Sequence, residues 1–174
     1  AARGARPRLP EEVDQLAASM RSSGTLAVQT EAGDMRALLA ILGELPAVEL
    51  LGELEKSGAK SDKEQEEFLV QQCGVIIESM RGTFFATRLS RRLRWMNANL
   101  NFVNPLDIGR AAAALAGLGE TAAILVLKRL TREVAEGVKF EKPTEWVVDV
   151  AKRVRSGTTS TYSREVAVGV ANAA

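Results

Sequence analysis

The chain has 174 residues, of which 46% are apolar and 5% aromatic, and its formal net charge is +1. This length suits one domain with a substantial core, and the near-zero charge gives no bulk attraction to nucleic acid, so any basic surface must be local. The sequence contains no histidine and a single cysteine, which excludes histidine-based catalysis, histidine metal sites and an internal disulfide. No apolar stretch reaches the roughly 18 residues that a membrane span needs.

The first ten residues are basic. Arg3, Arg6 and Arg8 stand there without an acidic residue, as expected for the remainder of a cleaved targeting region or for a basic arm that lies on a partner. Pro10 followed by two glutamates predicts the start of a helix that ends near Gly24. We assign residues 1–33 to this arm and helix.

Three further helices are predicted before residue 83. Asp34 is placed to cap the first of them and Pro46 to begin the second. Ser61 and Glu64 form a matched capping box that begins a long third helix. Cys73 lies among the apolar positions of that helix, so we expect a buried and unreactive thiol.

Residues 84–97 form the best functional candidate of the sequence. Arg88, Arg91 and Arg92 share one helical face opposite an apolar stripe, with Arg94 beside them and Trp95 one turn past Arg91. Such a face can hold phosphate oxygens or an acidic partner. The alternative is a solvated face paired with acids of neighbouring helices. For Trp95 and Trp146, the alternatives are a surface that stacks on a base or lies against a pigment or lipid headgroup, and an anchor for helix packing.

The segment from Asn99 to Arg155 is predicted to form three helices, at residues 107–116, 121–136 and 144–155. Pro105 and Pro143 stand near predicted helix starts, and Gly117 and Gly137 near predicted ends. The asparagines at positions 97, 99, 101 and 104 are expected to terminate one helix and cap the next. Residues 156–174 are interpreted as an extended tail that becomes ordered against a partner.

An internal repeat is predicted within the helical domain, residues 34–155. Leu50–Leu54 resembles Val126–Leu130, and Glu67–Val70 resembles Glu145–Val148, although unrelated amphipathic helices would give some of this likeness. The two related units would be 34–82 and 99–155, joined by the helix at 84–97. The predicted fold is all-α, with seven to eight consecutive antiparallel helices in a helical repeat or an irregular bundle.

Four short segments carry a family resemblance. They are Arg94-Trp95-Met96-Asn97-Ala98-Asn99, Pro105-Leu106-Asp107, Leu125-Val126-Leu127-Lys128-Arg129-Leu130 and Lys142-Pro143-Thr144-Glu145-Trp146-Val147. In this order they resemble an all-helical segment that recurs, often in several copies, in proteins of dinoflagellate algae. The resemblance covers roughly Arg91–Arg155. It implies a helical-repeat fold, an interaction role and no enzymatic activity.

These observations together predict a non-catalytic structural or adaptor subunit of a larger organellar complex. The most concrete form is a plastid photosystem with its antenna, with contacts to protein subunits and peripheral contact with the thylakoid membrane but no transmembrane span. The alternative is an RNA-binding helical-repeat protein of organellar RNA processing or of a ribosome. No catalytic, metal-binding or cofactor-binding residues are expected. The predicted partner-binding residues are Arg88, Arg91, Arg92, Arg94, Trp95, Arg3, Arg6 and Arg8.

Overall fold

A computed structural model describes residues 8–157, and these residues form eight helices and no strand. The helices are α1 (Glu11–Ser22), α2 (Gly33–Leu42), α3 (Glu44–Ser57), α4 (Asp62–Glu78), α5 (Phe84–Asn99), α6 (Ile108–Ala116), α7 (Glu120–Ala135) and α8 (Pro143–Ser156). The predicted all-α class is therefore confirmed. Within residues 8–157, no helix combines the length and the apolar character that a membrane span requires.

The chain divides into two compact units between Thr87 and Arg88, a point that lies inside α5. The first unit contains α1 to α4. The second contains most of α5 together with α6, α7 and α8. The predicted segments 1–33 and 34–82 thus share a unit, and α1 packs on α3 within it.

In the first unit, α2, α3 and α4 pack on one another in every pairing. Their apolar stripes follow the three- and four-residue spacing of an amphipathic helix, which places the leucines on one side. The core of these helices is built mainly from large aliphatic side chains that solvent hardly reaches: Leu38, Leu39, Ile41, Leu42, Leu50, Leu51, Leu54, Leu69 and Ile77.

In the second unit, α6, α7 and α8 also pack in every pairing. The buried side of α6 consists largely of alanine, including Ala111 and Ala112, both fully buried. Small side chains allow neighbouring helix axes to approach closely. Its larger buried side chains are Leu115, Val126, Leu127, Leu130, Val147 and Val150.

The helix starts agree with the predictions in part. The capping box at Ser61 is confirmed, with Glu64 N donating to the Ser61 hydroxyl at 3.2 Å. Asp34 does not cap α2, because that helix already begins at Gly33 after an extended Ala32. Pro46 lies in the first turn of α3 rather than at its start, a place where the missing amide hydrogen breaks no helical hydrogen bond.

A glycine forms the turn that leads into the third helix of each unit, α3 or α7. Gly43 precedes α3 with φ of 80°, and Gly119 precedes α7 with φ of 82°. Side chains with a Cβ atom rarely adopt this backbone conformation. The two turns therefore share the same geometry and the same residue type.

The helices that follow these turns bury the same pattern of positions. The aligned blocks in α3 and α7 place three apolar residues each in the core: Leu50, Leu51 and Leu54 in one, Val126, Leu127 and Leu130 in the other. In α4 and α8, Glu67 and Glu145 are exposed while Leu69 and Val147 are buried. This is a likeness of packing, and common sequence ancestry of the two units stays a prediction.

Candidate interaction surface on α5

The helix α5 buries one stripe and leaves the opposite side in solvent. Leu89, Leu93 and Met96 are fully buried. The outer side includes three arginines and a tryptophan within about 100° of one another around the helix axis, together with the exposed Phe84 at the helix start and Asn99 at its end. We call the three arginines and the tryptophan the α5 surface: Arg88, Arg91, Arg92 and Trp95.

Arg88 is partly neutralised within its own unit. Its guanidinium forms an ion pair with Glu120, which begins α7, and both side chains keep substantial exposure, at 52% and 39%. Because both partners are solvated, this ion pair contributes little to stability. For Arg88, the predicted pairing with an acid of a neighbouring helix is correct.

Arg92 and Trp95 form a stacked pair. The Arg92 guanidinium carbon lies 4.6 Å from the centre of the Trp95 ring, a cation–π contact. Arg92 also donates a long hydrogen bond of 3.4 Å to the Thr131 hydroxyl. Its Nε atom is buried, and no acceptor for it exists among the residues the structure describes. Arg92 is therefore positioned by stacking more than by hydrogen bonds.

Trp95 is 44% exposed, so a large part of its ring faces solvent. Trp146 is half-buried and packs edge-on against Phe140, with 5.6 Å between the ring centres. The packing interpretation thus holds for Trp146, whereas Trp95 presents a large apolar surface to solvent. Exposed tryptophan on a basic helix face is typical of a binding surface.

The two other arginines of the cluster differ in how they are held. Arg91 is exposed and makes no hydrogen bond or ion pair to any residue between 8 and 157. Arg94 lies at the edge of the α5 surface, and its Nε atom donates to the buried Ser90 hydroxyl at 3.4 Å. Arg91 is therefore the guanidinium most available to a partner.

The segment after α5 is held by hydrogen bonds with two side chains, Asn97, which the sequence predicted to end or cap a helix, and Thr144. Asn97 donates to the carbonyl of Leu106 at 3.0 Å and accepts from its amide at 2.7 Å. The buried Thr144 hydroxyl accepts from the amide of Asp107 at 2.9 Å. The residue that caps α6 is Asp107, not an asparagine. These contacts fix the connection beside the C-terminal end of α5.

The helix α1 in the first unit provides an internal control for α5. Val13, Ala17 and Met20 are buried at the same relative positions as the buried stripe of α5. The outer positions differ in chemistry: Glu12, Gln15, Leu16 and Ser19 stand in α1 where the four residues of the α5 surface stand in α5. The packing of this helix type therefore does not require arginine or tryptophan on its outer side.

Three further candidates are the lone cysteine, groups of acidic side chains and the N-terminal arginines. Cys73 is fully buried, so its predicted burial is confirmed, and burial raises the pKa of its thiol to about 12. Between residues 8 and 157, no three acidic, cysteine or histidine side chains group as a metal site would. Arg8 is exposed. Arg3, Arg6 and residues 158–174 lie outside the described residues.

Comparison with protein-family models, with curated proteins and with solved structures found no match to this chain. The resemblance to dinoflagellate helical segments is not tested by these comparisons and stays a prediction. The physical case for a binding site therefore depends on the geometry of the α5 surface.

Proposed function

We propose that this protein is a non-catalytic adaptor subunit that docks onto a larger protein assembly through the α5 surface. The observation that carries the proposal is the exposed Trp95, stacked on Arg92 at 4.6 Å, on a helix whose packing does not require either residue. Tryptophan and arginine are the residue types that most often dominate the energy of protein interfaces. The first unit, where Ser19 and Leu16 stand instead, supports a role for this pair outside folding.

Docking would use the α5 surface as a rigid platform. A partner that covers Trp95 removes its exposed ring from water, which gives the apolar part of the binding energy. Arg91 and Arg92 add charge-assisted hydrogen bonds at the edge of the ring. Since α5 is held by its buried leucines and by the hydrogen bonds of Asn97, little ordering of the surface is needed on binding.

We place this docking in an organelle, with a plastid photosystem and its antenna as the most concrete assembly. This part of the proposal comes from the resemblance to dinoflagellate segments and from the arginines at positions 3, 6 and 8. The adaptor would lie at the edge of the complex, in peripheral contact with the thylakoid membrane. Its contribution would be to fix the relative position of neighbouring subunits.

The test compares variants of the α5 surface with matched variants of α1. Trp95→Ala and Arg91→Glu are expected to lower recovery of the native assembly in a pull-down by at least about tenfold, because interface tryptophans and charges commonly contribute 1–2 kcal/mol or more. Ser19→Ala and Gln15→Glu change the corresponding positions of α1 and should leave recovery unchanged. Circular dichroism should show intact helices in all four. Undiminished recovery of both α5 variants would refute docking through this surface.

RNA binding is the second candidate function, because an exposed tryptophan beside arginines is also the arrangement on which bases stack. A gel shift with single-stranded RNA at several salt concentrations tests it. Tight binding that weakens steeply with salt and is lost in Trp95→Ala would make this an RNA-binding protein. Co-fractionation of the native protein with ribosomes rather than with thylakoid complexes would give the same answer.

A further inference from the structure

The net charge of +1 conceals a strong separation of charge between the two units. Residues 1–87 contain 9 lysines and arginines against 14 aspartates and glutamates, a net charge of −5. Residues 88–174 contain 14 cationic against 8 acidic side chains, a net charge of +6. The second unit, which carries the α5 surface, is therefore a strongly basic body within a neutral chain.

Four of the seven acidic side chains between residues 88 and 157 are engaged in contacts within the second unit. Three of them form ion pairs, Glu120 with Arg88, Glu133 with Arg129 and Glu145 with Arg110. The carboxylate of Asp107 accepts the amide of Arg110 at the start of α6. Arg91 is exposed and is one of the cationic side chains that these ion pairs do not neutralise. An anionic partner would complete the pairing that the unit does not supply by itself.

We propose that the α5 surface binds an acidic segment of a partner protein, with carboxylates placed beside an apolar side chain. The inference rests on the proposed docking function and names the chemistry of the partner. The apolar side chain would cover Trp95, and carboxylates would pair with Arg91 and Arg92, whose planar guanidinium groups match a carboxylate in two hydrogen bonds.

A protein segment fits this surface better than a nucleic acid strand does. Strand-binding grooves align several aromatic side chains, since successive bases each need a stacking partner. Between residues 88 and 157, Trp95 is the single exposed aromatic side chain, and Phe102, Phe140 and Trp146 are half-buried. The other exposed aromatic side chain of α5 is Phe84, which stands eleven residues before Trp95, about 16 Å along the helix axis. Because of this separation Trp95 is a lone aromatic side chain among arginines, which suits one apolar side chain of a peptide better than a run of stacked bases.

The chain contains two tryptophans, so the full-length Trp146→Phe variant reports on Trp95 alone by fluorescence. It is titrated with three synthetic peptides: one with glutamates flanking a leucine, one with glutamines in place of the glutamates, and one with serine in place of the leucine. We expect the acidic leucine peptide to bind at least about tenfold more tightly than either analogue, since one lost charge pair or buried side chain is worth about 1.4 kcal/mol or more. Adding Arg91→Glu should abolish this preference.

Four outcomes would overturn the inference. Equal binding of the glutamine peptide would show that charge does not select the partner. Tighter binding of a single-stranded RNA probe would show that the site accepts nucleic acid. Salt-sensitive self-association of the chain in sedimentation, lost in Arg91→Glu, would show that the surface binds the acidic unit of a second copy. If the pull-down depends on Trp95 but the acidic peptide neither binds nor competes, the inference fails while the docking function stands.

Discussion

The first and second units differ in charge where the first helix of each unit, α1 or α5, meets the start of its third helix, α3 or α7. In the second unit, Arg88 on α5 pairs with Glu120 at the start of α7. In the first unit, the corresponding residues are Glu12 on α1 and Glu44 at the start of α3. The hydrogen bond with Glu12 and the repulsion between the two carboxyl groups raise the pKa of Glu44. The pair of side chains attracts in the second unit, whereas the corresponding carboxylates repel each other in the first.

The two units also hold their long connections by different side chains. In the first unit, the buried Gln65 accepts from the amides of Ala27 and Val28 and donates to the carbonyl of Thr25. In the second unit, Asn97 forms hydrogen bonds with the amide and the carbonyl of Leu106, and Thr144 accepts from the amide of Asp107. The connection in each unit contains buried backbone groups that need partners, and the amide or hydroxyl that supplies them comes from whichever helix lies closest.

This comparison separates what the scaffold needs from what the surface does. Both units require apolar residues at matched core positions, a glycine before the third helix and a polar side chain that holds the connection. They share no requirement at the outer positions of α1 and α5, where the residues change from neutral and acidic to basic and aromatic. The proposed docking through the α5 surface would use this difference.

The largest expected effect concerns the matched core leucines. Leu51→Ala and Leu127→Ala each remove a fully buried side chain and should lower the free energy of unfolding by about 2–5 kcal/mol, from lost burial and the cavity left behind. Urea denaturation followed by circular dichroism measures this. The exposed Lys56→Ala and Arg132→Ala are matched controls that should stay within about 0.5 kcal/mol of the parent. A large loss in one unit with none in the other would break the structural equivalence.

Removal of the side chains that hold the two connections, Gln65 and Asn97, should give the next largest loss in the free energy of unfolding. Gln65→Ala leaves the amide of the buried Val28 without its acceptor and should cost about 1–3 kcal/mol. Asn97→Ala removes two hydrogen bonds at a half-buried site and should cost less. Hydrogen exchange provides the local readout, because the amides of Val28 and Leu106 should lose protection in the respective variants. Unchanged protection in both would show that the side chains do not hold the connections.

Substitutions in the pairs Glu12–Glu44 and Arg88–Glu120 should change the melting temperature least, and the direction of the change is the informative result. A raised pKa of Glu44 means that the folded protein holds this proton more tightly than the unfolded chain does. The contribution of Glu44 to the stability of the fold is therefore favourable at acidic pH and is lost as the pH rises through the raised pKa. Glu12→Gln should raise the melting temperature slightly at neutral pH, and this gain should shrink as the pH falls below the ordinary carboxyl pKa.

The reciprocal change tests the corresponding pair in the second unit. Arg88→Glu places two carboxylates opposite each other, as in the first unit, and should lower the melting temperature slightly at neutral pH. Glu12→Arg should do the opposite. Shifts of the same sign in both exchanges would show that the paired geometry is not equivalent in the two units.

The sequence by itself determined the helices and their order. Amphipathic spacing, the capping box at Ser61 and the glycines near helix ends are local signals, and local signals suffice to locate helices because their hydrogen bonds join residues close in the chain. The same spacing identified the buried stripe of α5 and the buried Cys73. It also predicted the arginine face and placed Trp95 beside it.

Only the tertiary structure decided which of these polar residues have partners. Arg88 is paired and Arg91 is not, because Glu120 reaches α5 from the start of α7, a distance in sequence that no local pattern encodes. Asn97 was predicted to cap a helix, but the fold brings the carbonyl and amide of Leu106 within its reach instead. Trp95 is exposed and Trp146 is half-buried, and this difference follows from what packs against each ring. Non-local contacts set side-chain exposure, so the candidate site became specific only once the helices were placed.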